Sequence, residues 1–106
     1  MTGNIFETYV VSEIIKTYTN AGIDVRSRFS FYRDNNEKEI DLIIEENSIL
    51  YPIEIKKSAN PGKDALKNFG VLQSLNKTVG KGCIVCLSQF AIPLDSKNFA
   101  VPITTI

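Results

Sequence analysis

The sequence predicts an α/β fold, one mixed sheet flanked by helices. Three observations carry this. Apolar residues recur at spacing four near the N-terminus, and then alternate in stretches separated by short polar turns. Helical spacing returns before a last pair of short apolar runs. The expected order is α-β-β-β-α-β-β. The chain has 106 residues, which is room for one ordinary core, so a single domain is expected over 1–106.

Each element has its own local reason. Residues 3–20 read as a helix with Thr2 as N-cap; Phe6, Val10, Ile14 and Tyr18 form its apolar stripe, and Gly22 stops it. A first strand is expected over 25–33, followed by a turn at 34–37. A second covers 38–45, with Ile40, Leu42 and Ile44 alternating, and 46–48 form the next turn. A third covers 49–57, with Ile49, Tyr51, Ile53 and Ile55 alternating. Short connections make this an antiparallel meander. Pro52 lacks a ladder donor, which favours a regular strand starting just after it. Asn60 and Pro61 read as N-cap and first-turn proline of a second helix, reaching Asn76, with Leu66, Phe69, Leu72 and Leu75 on one side and Gly70 weakening it. Gly80 and Gly82 precede a strand at 83–87. A loop at 94–98 leads to a last strand at 100–104.

Composition narrows the chemistry. The apolar share is 43%, too high for a disordered chain. No apolar run approaches the roughly 20 residues that cross a bilayer, and the N-terminus lacks a basic-then-apolar signal pattern. A soluble, cytoplasmic protein is expected. There is no histidine, which removes Ser-His-Asp and Cys-His catalysis and histidine metal sites. Cys83 and Cys86 form a C-x-x-C, but three positions along a strand point to opposite faces, so small buried core residues are the expected reading. The net charge of zero hides an asymmetry: ten acids and five bases through Glu54, then two acids and seven bases. An acidic half gathers cations and a lysine-rich half suits phosphates; an ordinary solvated surface is the alternative.

Chemistry concentrates in the second and third strands. Alternation places Glu39, Asp41, Ile43 and Glu45 on one face, and Glu54 and Lys56 on the face opposite Ile53 and Ile55. If these strands pair as a hairpin, Asp41, Glu54 and Lys56 converge. Two carboxylates suit a hard cation, Mg²⁺ or Mn²⁺, that completes its shell with water and substrate phosphate. The lysine, held protonated among carboxylates, suits stabilisation of charge developing at phosphorus. Glu-x-Lys alone is commonly a solvated strand face; the joint pattern, with Glu54 thirteen positions after Asp41, is what points to phosphodiester hydrolysis.

Glu39-Ile40-Asp41 followed by Pro52-Ile53-Glu54-Ile55-Lys56 resembles the PD-(D/E)xK nuclease superfamily, and the α-β-β-β-α-β order resembles its restriction-endonuclease-like core. The chain is more closely similar to the DUF4143-like C-terminal domain of prokaryotic AAA+-type ATPases. Phe6-Glu7, Tyr32-Arg33-Asp34, Glu39 to Asp41 and Pro52 to Lys56 carry that likeness over most of the chain. The resemblance implies that Asp41 and Glu54 are metal-binding acids and Lys56 the signature lysine. It also implies a glutamate from the first helix, with Glu7 the first choice and Glu13 the second; a helix-surface charge is the alternative for either. Gln73, Lys63 and Lys67 are candidates to face the site from the second helix; a solvated surface position is the alternative for each. Arg26, Arg28 and Arg33 are candidates for phosphate contact or for acid pairing. The nucleotide-binding loop Gly-x-x-x-x-Gly-Lys-Ser/Thr is absent, so an ATPase domain is expected as a partner in cis or in trans. DNA is the other expected partner, a membrane is not, and a homodimer stays open. Two other readings stand beside the nuclease. One is a catalytically silent nuclease-fold module serving DNA binding or regulation; the other is a protein-interaction domain that pairs through a sheet edge.

Overall fold

A computed structural model describes residues 2–36 and 38–103, with side chains from residue 5 onward. Helix α1 runs Thr2–Asn20. The Thr2 side chain, Glu37 and Thr104, which entered the expected cap, turn and last strand, lie outside the described residues. Gly22 ends α1 as expected, at φ +81°. Its N–H donates to Thr19 O at 3.0 Å, and Ile23 N–H donates to Tyr18 O at 3.0 Å. This pair of bonds closes the helix by satisfying its last carbonyls.

Among the described residues seven strands form one mixed open sheet. They are β1 Phe29–Arg33, β2 Glu39–Glu46, β3 Ile49–Ile55, β4 Thr78–Val79, β5 Cys83–Cys86, β6 Ile92–Pro93 and β7 Phe99–Pro102, in the spatial order β1-β2-β3-β5-β7-β6 with β4 also on β3. The meander β1-β2-β3 is antiparallel, and β5 and β7 join it in parallel. The fold is therefore α/β. No described helix is long and apolar enough to cross a membrane.

Several expected boundaries move. The first strand starts later, because Val25–Ser27 wind into a 3-10 turn capped by Asp24, whose carboxylate accepts the Arg26 N–H at 3.0 Å. Strand β3 ends at Ile55 and includes Pro52, although it is an inner strand. Proline is tolerated there because it falls between the stretches paired with β4 and with β5, where the ladder is broken. Three residues, Gly80 to Gly82, stand opposite two, Tyr51 and Pro52, so β4 and β5 are one strand interrupted by a bulge. A Cβ on Gly80 would lie 2.6 Å from the Tyr51 ring, which explains a glycine at this close approach. The short strand β6 falls just before the expected loop and pairs antiparallel with β7.

The expected second α-helix is a 3-10 helix over Lys63–Leu75, with Gly62 rather than Asn60 at its N-cap. Leu66, Phe69, Leu72 and Leu75 are spaced by three, and side chains three apart eclipse when the backbone has three residues per turn. That spacing puts the apolar row in one line. Ala65, Phe69 and Leu72 are buried from it.

The sheet separates two cores. Below it, Ala65, Phe69 and Leu72 pack with Ile40, Ile43, Leu50, Ile84, Cys86 and Ala100. Above it, Val10 and Ile14 of α1 pack with Leu42, Ile44, Ile53, Ile55 and Val85. Cys83 and Cys86 take opposite sides, as strand geometry requires, and both are free thiols. Burial pushes the Cys83 thiol up to about 11, with the neighbouring Cys86 adding to it, which suits a packing residue and not a reactive one.

Candidate metal and phosphodiester site

The site begins with an irregularity in β2. Ser30 pairs with Ile43 and Tyr32 with Ile40, so Phe31 alone stands opposite both Asp41 and Leu42. This bulge corrects the expected faces. Ile40 packs below the sheet with Ile43, while Leu42 and Ile44 pack above it. The extra residue breaks the alternation between Ile40 and Leu42, and bulges re-aim side chains in this way.

The bulge also ends the ladder between β2 and β3, whose last pair is Leu42 with Ile53. Beyond it, carboxylates take over from carbonyls. Ile55 N–H donates to Asp41 Oδ2 at 2.9 Å, and Asp41 N–H donates to Glu54 Oε1 at 3.4 Å. The orphaned donors of the two diverging strands are thereby satisfied. On the other edge, Lys56 N–H donates to Val85 O at 2.9 Å, and Leu87 N–H donates to Ser58 O at 2.8 Å. The backbone of Lys56 is thus anchored to β5 just after β3 ends.

Asp41, Glu54 and Lys56 line one cleft of about 570 Å³ together with Glu7 from α1. Glu54 is 7% exposed. Its Oε2 lies 3.9 Å from the half-exposed Lys56 ammonium. Burial, followed by the hydrogen bond and charge of Asp41, pushes the Glu54 carboxyl up to about 8; Lys56 acts in the opposite direction. The Glu7 carboxyl is also raised, first by burial and then by the charges of Asp41 and Glu39. Glu13 is elsewhere: it pairs with Lys16 at 3.1 Å and lines neither cleft that contains Glu7.

From the 3-10 helix, Lys67 lines the cleft, and the exposed Lys63 and Gln73 do not. The arginines are engaged with acids. Arg26 lies 3.5 Å from Asp24, Arg28 3.6 Å from Glu46 and Arg33 3.0 Å from Glu39. Sequence reasoning missed Lys38, Asn36 and Asn68 as cleft residues. Asn36 and Lys38 arrive through the β1–β2 turn, where both N–H groups donate to Asp34 Oδ1 at 2.9 and 3.1 Å. Asp34 at the head of a polar turn was the available signal for that geometry. Asn68 donates to Glu39 O at 3.1 Å; nothing local in the sequence marked this contact, which spans 29 positions.

Among the described residues no three acids or thiols are gathered so that they alone could hold a metal ion. The donor set still fits a hard cation. Mg²⁺ takes one or two carboxylates and completes its shell with water and phosphate oxygen. Two carboxylates, one of them buried and reluctant to ionise without a compensating charge, meet that requirement.

No curated protein and no solved structure matches the chain. One family model does, over residues 2–106, almost the whole length and including every residue of the cleft. The chain belongs to the family described as Domain of unknown function (DUF4143).

Proposed function

We propose that this domain is a metal-dependent DNA endonuclease-like module that hydrolyses phosphodiester bonds, with a restriction-endonuclease-like core of the PD-(D/E)xK type. The observation that carries the reading is the convergence at the splayed end of β2 and β3. Asp41 and Glu54 face each other across the broken ladder, with Lys56 3.9 Å from Glu54 and Glu7 in the same cleft. In this reading Asp41 and Glu54 would hold Mg²⁺ or Mn²⁺, and Glu7, which lines the same cleft, would add its charge without completing a three-carboxylate cluster. The bound cation supplies Lewis acidity at a phosphoryl oxygen and acidifies the attacking water. Lys56 stabilises the negative charge that develops on the phosphoryl oxygens, and its anchored backbone limits the reorganisation this requires. A cation held there would favour the ionised form of Glu54 against its burial. Lys38 and Lys67, which both line the cleft, attract the DNA backbone. The resemblance to the C-terminal domain of prokaryotic AAA+-type ATPases supports an ATPase partner in cis or in trans.

One observation favours a second reading. The Asp41 and Glu54 carboxylates already serve backbone donors, so the pair would also suit a catalytically silent module in which the acids only pin the strand ends. Cleavage of labelled single-stranded and duplex DNA with Mg²⁺ or Mn²⁺, by wild type and Glu54→Ala, separates the two. Metal-dependent cutting lost in a folded Glu54→Ala chain is the expected result. A folded wild type that cuts nothing, tested with and without an ATPase partner, favours the silent module.

A further inference from the structure

The acid cleft continues at both ends. Glu7, Glu39 and Asp41 also line a second cleft of about 360 Å³. Lys56 and Lys67 also line a third of about 300 Å³, which reaches the start of the 3-10 helix. These shared residues join the three clefts into a run, a candidate groove. An aromatic wall stands at one end, the carboxylates Asp41 and Glu54 are in the middle, and Lys56, Lys67, Asn60 and the carboxylate of Asp64 line the other end.

The aromatic wall is Phe31, 71% exposed. A lone exposed ring needs no explanation by itself, but this one is placed by the same bulge that shapes the acid site. It stands opposite Asp41 and Leu42. Its neighbour Phe29, two positions back on β1, is covered by the Tyr18 ring at 5.0 Å in an edge-on contact. Across the second cleft, α1 presents the small side chains of Thr8, Val11 and Ser12. The space over Phe31 is therefore left open beside the carboxylates.

We propose that the groove takes an unpaired nucleic-acid strand, with one base stacked on Phe31 and the backbone passing Asp41 and Glu54 toward Lys56 and Lys67. This deepens the phosphodiesterase reading, on which it rests, by naming the substrate class. A flat aromatic face accepts any base that is not already stacked in a duplex, and cations along the same groove follow the phosphates. A base held inside a duplex has no free face to offer Phe31.

The chain has no tryptophan, which makes the test direct. Phe31→Trp gives one indole, and its emission is followed as a 20-nucleotide oligothymidylate is added with Ca²⁺ in place of Mg²⁺. Strong quenching is expected, and little with a duplex of equal length. Phe90→Trp, at a ring 74% exposed and outside the three clefts, is expected to stay unquenched. In anisotropy, Phe31→Ala is expected to weaken oligothymidylate binding roughly ten- to hundredfold, while Phe31→Tyr restores it. Equal response of the two tryptophan chains, or unchanged binding in Phe31→Ala, overturns the proposal. So does a wild-type dimer that Phe31→Ala converts to monomer in sedimentation, because the ring then belongs to a protein contact. Quenching without any cleavage supports the strand groove and fails hydrolysis; cleavage without quenching leaves hydrolysis standing and fails the strand groove.

Discussion

Glu54 is a carboxyl group placed where water barely reaches it, beside a second carboxylate, and its proton affinity follows from that position. Its value moves from an ordinary 4.5 to about 8. Below pH 4.5 the group is protonated in both folded and unfolded chains, and its contribution to stability is fully present. As pH rises toward 8 the unfolded chain releases the proton while the folded chain retains it, so stability falls. Thermal melting of the metal-free protein is therefore expected to drop by several degrees between pH 5 and 8. Glu54→Gln is expected to flatten most of that slope; a parallel slope in the variant contradicts the assignment. Glu7 shifts in the same direction and leaves a smaller residual slope. The residues of this site were partly legible in sequence. The pattern of Glu39-Ile40-Asp41 and Glu54-Ile55-Lys56 marked these side chains in two adjacent segments, but the bulge breaks the alternation that was to bring Asp41 to the face of the other two. The reach of Asn68 to Glu39 depends on a contact 29 positions long, which no local pattern encodes.

At the scale of elements, legibility depended on whether an element's pairing was local. The meander β1-β2-β3 was readable because alternation and polar turns lie within one short stretch. The bulge at Asp41 and Leu42 was not, because nothing in Glu39-Ile40-Asp41-Leu42 departs from alternation. The helix over 63–75 was read with the wrong winding, although its spacing of three was in view at Leu66, Phe69, Leu72 and Leu75. Its packing gives a contrast between two glycines. A Cβ on Gly82 would meet the Phe69 ring and Asn98 Oδ1, each at 2.6 Å, whereas one on Gly70 would meet nothing within 4 Å. Gly82→Ala is expected to destabilise the protein by about 1–3 kcal/mol by pushing Phe69 out of the lower core. Gly70→Ala is expected to be neutral or to stabilise by up to about 1 kcal/mol by reducing the freedom of the unfolded chain. Urea melts of both variants check the pair; equal destabilisation would contradict the packing described for this helix.

Across the whole molecule, the charge asymmetry in the chain becomes an arrangement in space. Acids of the first half and lysines of the second meet at the cleft, where Lys56 lies 3.9 Å from Glu54 and Lys67 lines the same walls as Glu39 and Asp41. Elsewhere such charges neutralise one another, as Lys77 and Glu45 do at 3.0 Å. The α/β class was legible because periodicity alone distinguishes helix from strand. The order of β5, β7 and β6 was not, since parallel pairing joins segments that share no turn. The central claim is that the splayed end of β2 and β3 forms a carboxylate pair that holds a divalent cation. Calorimetric titration of the metal-free protein with Mn²⁺ at pH 7, repeated in two buffers of different ionisation enthalpy, tests it most directly. One Mn²⁺ bound per chain with release of up to about one proton, and loss of both in Asp41→Asn and Glu54→Gln, is the predicted result. No binding at millimolar Mn²⁺, or binding that both variants retain, would contradict it.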